Sequence, residues 1–256
     1  MATTFELIQK ELIDTPSDKN KDMLMDSVRK SVFARFEGHN IKNVMLVTPP
    51  DADISFFDIK YAKRKRYANY PPYGTMLLAR RLLNAGLNVE LVNLQHEILK
   101  TACESSNSDF DYDLIWRKKL NEKIDIFDPD LVGVTCMFTM THESFKKICF
   151  EVAKNNLPLA VGGVHVSNDV TRIKKEIPQI DYIFVREADN NFPQFIEAVN
   201  TKKINETSIG GVLLKYDGNN WYNFDSYSIP TEDEISQMPA YELIEDLEDY
   251  SKYGMI

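Results

Sequence analysis

The chain has 256 residues, 43% of them hydrophobic and 27% charged, with a formal net charge of −9. That composition suits a globular fold with a full core, and the negative balance argues against a nucleic-acid surface, which needs a positive footprint for phosphates. No run reaches the roughly 18 to 20 apolar residues of a membrane span, and the first residues lack the basic-then-apolar layout of a signal peptide. Three cysteines, Cys103, Cys136 and Cys149, are too scattered for a disulfide framework or a C-x-x-C site. The expectation is a cytoplasmic protein with reduced thiols and neither a nucleic-acid nor a membrane partner.

In chain order, residues 1 to 40 read as a helical extension. Phe5, Leu7, Ile8, Leu12 and Ile13 recur at near-helical spacing, and after a break at residues 15–18 so do Met23, Leu24, Val28, Val32, Phe33 and Phe36. From 41 to 204, short apolar runs alternate with helix-period segments. The strand candidates are residues 43–48, 88–94, 131–137, 157–163 and 181–185. Between them lie a helix over 74–85 stopped by Gly86, a helix over 112–127 closed by Asp128-Pro129, and a helix with Phe145, Ile148, Cys149, Val152 and Ala153 on one face, which makes Cys149 core. Ser167, Asn168 and Asp169 are N-cap candidates for a short helix, and Asn191-Phe-Pro193 opens the last one. Strands alternating with helices specify a parallel sheet covered on both faces, and right-handed crossovers favour a flavodoxin-like, Rossmann-like α/β sheet of five strands. Residues 205–256 form a β-hairpin around Asp217-Gly-Asn-Asn220 and an acidic linker. From Thr231 to Ile256 eight acids face one base, Lys252, for a net −7. The basic cluster Lys60, Lys63, Arg64, Lys65 and Arg66 reads as a solvated loop or a contact for a phosphate or a partner.

In such sheets ligands bind beyond the carboxyl ends of the strands. The residues there are Thr48, Pro49 and Pro50; Thr135, Cys136, Met137 and Thr139; Gly162, Gly163, His165 and Val166; and Glu187 with Asp189. Gly162-Gly163 removes two side chains, as a tight turn or as a slot for a flat or thin group. Thr135 and Thr139 supply hydroxyls that need partners. Neither G-x-G-x-x-G nor the P-loop pattern is present, which disfavours a dinucleotide or nucleoside triphosphate.

Taken in order, Val44-Met-Leu-Val-Thr-Pro-Pro50, Tyr70-Pro-Pro-Tyr-Gly74, Asp128-Pro-Asp-Leu-Val-Gly-Val134, Gly162-Gly-Val-His165, Asp181-Tyr182 with Glu187 and Phe192-Pro193, and Met238-Pro-Ala-Tyr-Glu-Leu243 resemble the amino-terminal cobalamin-binding domain of cobalamin-dependent radical S-adenosylmethionine enzymes. The resemblance spans roughly residues 41 to 250. It implies cobalamin on the carboxyl edge, with its nucleotide tail near Gly162-Gly163, and no catalytic acid, base or nucleophile in this chain. The motif C-x-x-x-C-x-x-C is absent. An iron–sulfur cluster and S-adenosylmethionine would therefore belong to a radical domain outside the chain, in cis or in trans, for a reaction such as methyl transfer. A second departure is Arg186, where the family usually has glycine.

The D-x-H-x-x-G motif that supplies a lower cobalt ligand is also missing, which implies a base-off corrinoid whose metal ligand is unknown. His165 is the one well-placed histidine, and it could meet cobalt, bond the tail or a phosphate, or serve the structure. His142 reads as structural, and His39 and His96 as surface. The competing reading is a non-catalytic flavodoxin-like or receiver-like module that binds flavin or a protein partner. Asp51 and Asp53 follow the first strand, but no acceptor aspartate follows the third. Half of a nucleotide-sugar transferase has only the α/β pattern in its favour.

Overall fold

The structure, a computed structural model, describes residues 18–106, 109–205, 209–224, 230–232 and 236–256. The first expected helix, with Phe5 to Ile13, lies outside these. The second is α1 (Asp18–Arg35).

Seven strands form one sheet: β1 (Asn43–Thr48), β2 (Asn88–Asn93), β3 (Leu131–Thr135), β4 (Leu159–Gly162), β5 (Tyr182–Phe184), β6 (Val212–Tyr216) and β7 (Asn220–Phe224), in the order β2-β1-β3-β4-β5-β6-β7. The first five are parallel and follow the flavodoxin-like order 2-1-3-4-5, as expected. The count of strands differs, because the hairpin does not stand apart. β6 pairs antiparallel with β5, matching Tyr182, Ile183 and Phe184 to Leu214, Leu213 and Val212. The physical reason is the edge: β5 alone would present unpaired amides and carbonyls to solvent.

The helices are α2 (Ile59–Lys63), α3 (Tyr73–Asn84), α4 (Leu94–Glu104), α5 (Tyr112–Phe127), α6 (His142–Lys154), α7 (Val164–Asn168), α8 (Val170–Glu176), α9 (Asn191–Asn200) and α10 (Tyr250–Tyr253). Alternate residues of each strand feed two cores. Val44 and Leu46 join Met76, Ala79 and Leu82 of α3, Phe192 and Phe195 of α9, and Val28 and Val32 of α1. Met45 and Val47 join Ile98 of α4, Trp116 and Leu120 of α5, and Phe145, Ile148 and Cys149 of α6. Val212 and Leu214 belong to the first core and Leu213 to the second, so β6 continues the same layering. α1 packs on β6 and is pinned by Arg35, whose guanidinium donates to Asp181 at 3.1 Å, to the Asn156 carbonyl at 2.9 Å and to the Leu157 carbonyl at 2.6 Å. α5 packs on β2, with the indole of Trp116 donating to Asp113 at 2.9 Å, while Trp221 lies on β7 beneath Lys174.

Two features depart from expectation. α4 begins directly after β2 with no turn residue between, so the strand run hides its start. Asn93, the last strand residue, caps it by accepting from the amides of Gln95 and His96. The acidic carboxyl-terminal segment is no free linker. It wraps back over α3, α4 and α5, where Arg80 meets Glu242 at 2.5 Å, Lys119 meets Glu245 at 2.9 Å, Lys123 also holds Glu245, and Lys100 holds Asp246. Its end docks through Met255, whose backbone bonds Tyr67 and Asn69. Among the described residues no helix is long and apolar enough to cross a membrane.

Candidate functional site

The register lays the expected residues in a row along the carboxyl edge. Val47 pairs with Val134, and Thr135 pairs with Gly162, so Thr48, Thr135 and Gly162 lie side by side across β1, β3 and β4. β1 leads to β2 on one side and its other neighbour is β3, which makes this the topological switch point. Thr48 Oγ1 lies 3.4 Å from Thr75 Oγ1 of α3. Thr135 Oγ1 has no hydrogen-bond partner among the described residues. Around the row stand Met137, Phe138, Met140 and Val164, each more than half exposed. Pro49, Pro50, Cys136 and Val166 are buried beneath that surface and support it. Burial pushes the Cys136 thiol up to about 11, so it is an inert packing group whose sulfur lies 3.2 Å from Thr141 Oγ1.

The two glycines do different work. Gly163 has φ +108°, and a Cβ there would meet the Cys136 carbonyl oxygen at 2.6 Å and Thr135 Oγ1 at 2.9 Å. The chain itself fills that space. At Gly162 a Cβ would lie 3.5 Å from the Phe184 carbonyl oxygen, an ordinary contact. The β3 and β4 ends are laced together at this point: the Cys136 amide donates to Gly162 at 2.8 Å, and the His165 amide donates to Cys136 at 3.1 Å.

His165 is only 3% exposed and both its ring nitrogens are engaged. Nδ1 lies 3.2 Å from Thr139 Oγ1, and Nε2 lies 2.9 Å from His142 Nδ1. His142 Nε2 in turn lies 3.0 Å from a Glu176 carboxylate oxygen. Glu176 was not singled out from the sequence, because α8 is brought to α6 only by the fold. His96 is a correction. It is 5% exposed, stacked on Tyr250 with ring centroids 4.0 Å apart, with Asn69 Nδ2 lying 3.1 Å from its Nδ1. The returning carboxyl-terminal segment covers it, and a local pattern shows nothing of that.

Glu187 and Asp189 lie past β5, one strand beyond Gly162, with Glu187 exposed and Asp189 half-buried. Arg186 adopts φ +62°, the left-handed conformation that explains the usual glycine. Its amide donates to Ser167 Oγ at 2.8 Å, and that hydroxyl donates to the Gly163 carbonyl at 3.0 Å, tying the β5 loop to the β4 loop. Asp169 stands at the start of α8 but makes no side-chain cap.

A doubly wound sheet with a polar row and an apolar rim at its switch point defines a small-molecule-binding α/β domain. Residues 59–196 match the B12 binding domain family, which is more than half of the chain, and the chain belongs to that family. Cobalamin is accordingly its cofactor. No curated protein matches the chain. Among solved structures it is similar to the cobalamin-dependent S-adenosylmethionine radical enzyme OxsB with aqua-cobalamin and S-adenosylmethionine bound, with a TM-score of 0.57 and 15% identity over 83% of this chain and 25% of that one. OxsB with aqua-cobalamin bound gives a TM-score of 0.56 at 15% identity, with the same coverage. Apo OxsB gives 0.53 at 14% identity, over 84% and 25%. The chain thus spans about a quarter of those structures' length, and at such identity what is shared is the fold.

Proposed function

We propose that the chain holds cobalamin base-off across the carboxyl edge of the sheet, for use by a radical S-adenosylmethionine domain in cis or in trans. The observation that carries this reading is the row at the switch point, with an unpartnered Thr135 hydroxyl level with Gly162, which carries no side chain, inside an exposed apolar rim. These residues fit the group. Gly162 leaves room for a thin nucleotide tail and Thr135 offers it a hydrogen bond, while Met137, Phe138, Met140 and Val164 give a flat apolar seat to a corrin ring. When bound, the corrinoid supplies a cobalt centre able to carry a methyl group or an electron. The residues of this chain bind, orient and shield. Glu187 and Asp189 border the site from the β5 side. His165 spends both ring nitrogens on Thr139 and His142, which supports a cobalt lower face without a histidine from this chain.

Titration with hydroxocobalamin tests the reading. Binding is expected to change the visible spectrum and to raise the melting temperature with ligand concentration. Electron paramagnetic resonance of the bound cobalt(II) state is expected to lack the threefold splitting of an axial nitrogen. An unchanged spectrum and melt, or a shift with flavin mononucleotide instead, would overturn the cofactor assignment. A nitrogen splitting lost in His165→Ala would overturn the base-off state.

A further inference from the structure

Thr139, His165, His142 and Glu176 form one unbroken chain of hydrogen bonds from the exposed carboxyl edge, through two buried imidazoles, to the surface of α8. Each link has room for one hydrogen, so the sense of the whole chain is set at one end. At Glu176 that end is fixed. Arg172 donates to one carboxylate oxygen at 2.7 Å, and Arg172 and His142 together hold the carboxyl down to about 2. An ionised carboxylate only accepts. His142 must therefore carry its proton on Nε2 and, when neutral, accept at Nδ1. His165 must then donate from Nε2 and accept at Nδ1. Burial above all keeps His165 below the usual imidazole range, which favours its neutral form at pH 8. With both imidazoles neutral, the only hydrogen left for the last link is that of the Thr139 hydroxyl, whose oxygen is left with lone pairs alone to present at the site.

Of the other charged groups around the relay, Asp169 raises the His165 imidazole and Arg172 lowers it, and burial still prevails. Lys146 Nζ lies 2.9 Å from Glu143 and 3.4 Å from Glu176, so the neighbouring carboxylates are already paired with cations. His142, Glu143 and Glu176 come close enough together to suggest a metal site, but Lys146 and Arg172 occupy that role.

We propose that His142, His165 and Glu176 are positioning residues that hold Thr139 as a pure hydrogen-bond acceptor, so that it receives an amide N–H of the bound corrinoid. The inference rests on the cobalamin reading above and adds to it the chemical sense of one contact and three residues behind it.

Glu176→Gln reverses the relay without changing its shape. Arg172 keeps the amide oxygen, Lys146 stays on Glu143, and the new NH2 faces His142 Nε2. His142 then takes its proton on Nδ1, His165 on Nδ1, and Thr139 must accept from inside. Nitrogen-15 spectra of the imidazoles in the ligand-free protein at pH 8 are expected to show Nε2–H on both histidines, and Nδ1–H on both in Glu176→Gln. An Nδ1–H on His165 in the unmodified protein overturns the proposal outright, whatever the variants do. Hydroxocobalamin affinity is expected to fall about three- to tenfold in Thr139→Val, to fall by a smaller factor in Glu176→Gln, where Thr139 keeps one of its two lone pairs for the ligand, to stay unchanged in Thr139→Ser, and to fall no further in the double variant than in Thr139→Val. Losses that multiply in the double variant, or equal affinity in all of them, overturn the proposal while leaving the cobalamin reading intact. Absence of binding by the unmodified protein would sink that reading instead, and the nitrogen-15 result would still judge the relay.

Discussion

Gly162 and Gly163 are adjacent and look equivalent in the sequence, yet their substitutions should fail in different ways. A methyl group at Gly163 would drive into the Cys136 carbonyl from a left-handed backbone. Gly163→Ala should cost about 2 to 4 kcal/mol, read as a lowered denaturation midpoint. Gly162→Ala meets only an ordinary contact and should unfold within about 1 kcal/mol of the parent. Gly162→Leu should remain folded and lose cobalamin, and full affinity in a folded Gly162→Leu would move the tail elsewhere. The glycine pair was legible as a place where side chains are missing. Which of the two the fold itself requires was not, because that depends on Cys136, some 26 positions away in the chain and adjacent in space.

Among the elements, the returning carboxyl-terminal segment changes the character of everything under it. His96 sits on α4 beneath Tyr250, and its Nε2 and the Asn69 Oδ1 are buried without partners. Burial lowers the His96 imidazole to about 4, from an unfolded value near 6.5. Between those values the unfolded chain binds the extra proton and the folded one does not. His96 therefore weakens the fold as pH falls from about 6.5 towards 4 and has no effect above that window. The drop in unfolding midpoint between pH 7 and pH 5 should be smaller in His96→Phe, which keeps a ring under Tyr250 but cannot take up a proton. Parallel curves for the two proteins would show that the imidazole stays solvated. Three acids of the segment, read from the sequence as an acidic linker, are matched: Glu242 by Arg80, Glu245 by Lys119 and Lys123, and Asp246 by Lys100. Such partly exposed pairs are individually weak and screened by salt. Amide exchange over residues 241–255 should accordingly speed up in 1 M salt while exchange in β1 and β3 stays put.

At the scale of the whole molecule, the five parallel strands and their order were readable because each is an apolar run between helix-period segments. The Ile-Gly-Gly-Val-Leu-Leu run of the hairpin was readable as strand, but its place was not. Nothing local says that Val212, Leu213 and Leu214 cover the edge of β5 and complete both cores. A chain cut after residue 204 would expose Tyr182–Phe184 as an open edge and strip α1 of its seat on β6. It should elute as aggregate in gel filtration, whereas a well-behaved monomer of that length would place the hairpin outside the folding unit. That Thr48, Thr135 and Gly162 end neighbouring strands followed from strand order, and the register sets them level. The relay behind Thr139 did not, since its members come from the β3 loop, α6, α7 and α8 with no shared spacing.

The sheet order also decides what light can report. The chain has two tryptophans. Trp116, 2% exposed, lies on α5 against β2, whereas Trp221 lies on β7. One fluorophore therefore marks each flank of the seven strands, with the row of Thr48, Thr135 and Gly162 between them. Trp221→Phe leaves an emitter that sees only the β2 flank, and Trp116→Phe leaves one that sees only the hairpin. Superimposable denaturation curves from the pair would mean that the sheet melts as a single body, and an earlier red shift from Trp221 would mean that it peels from the antiparallel side.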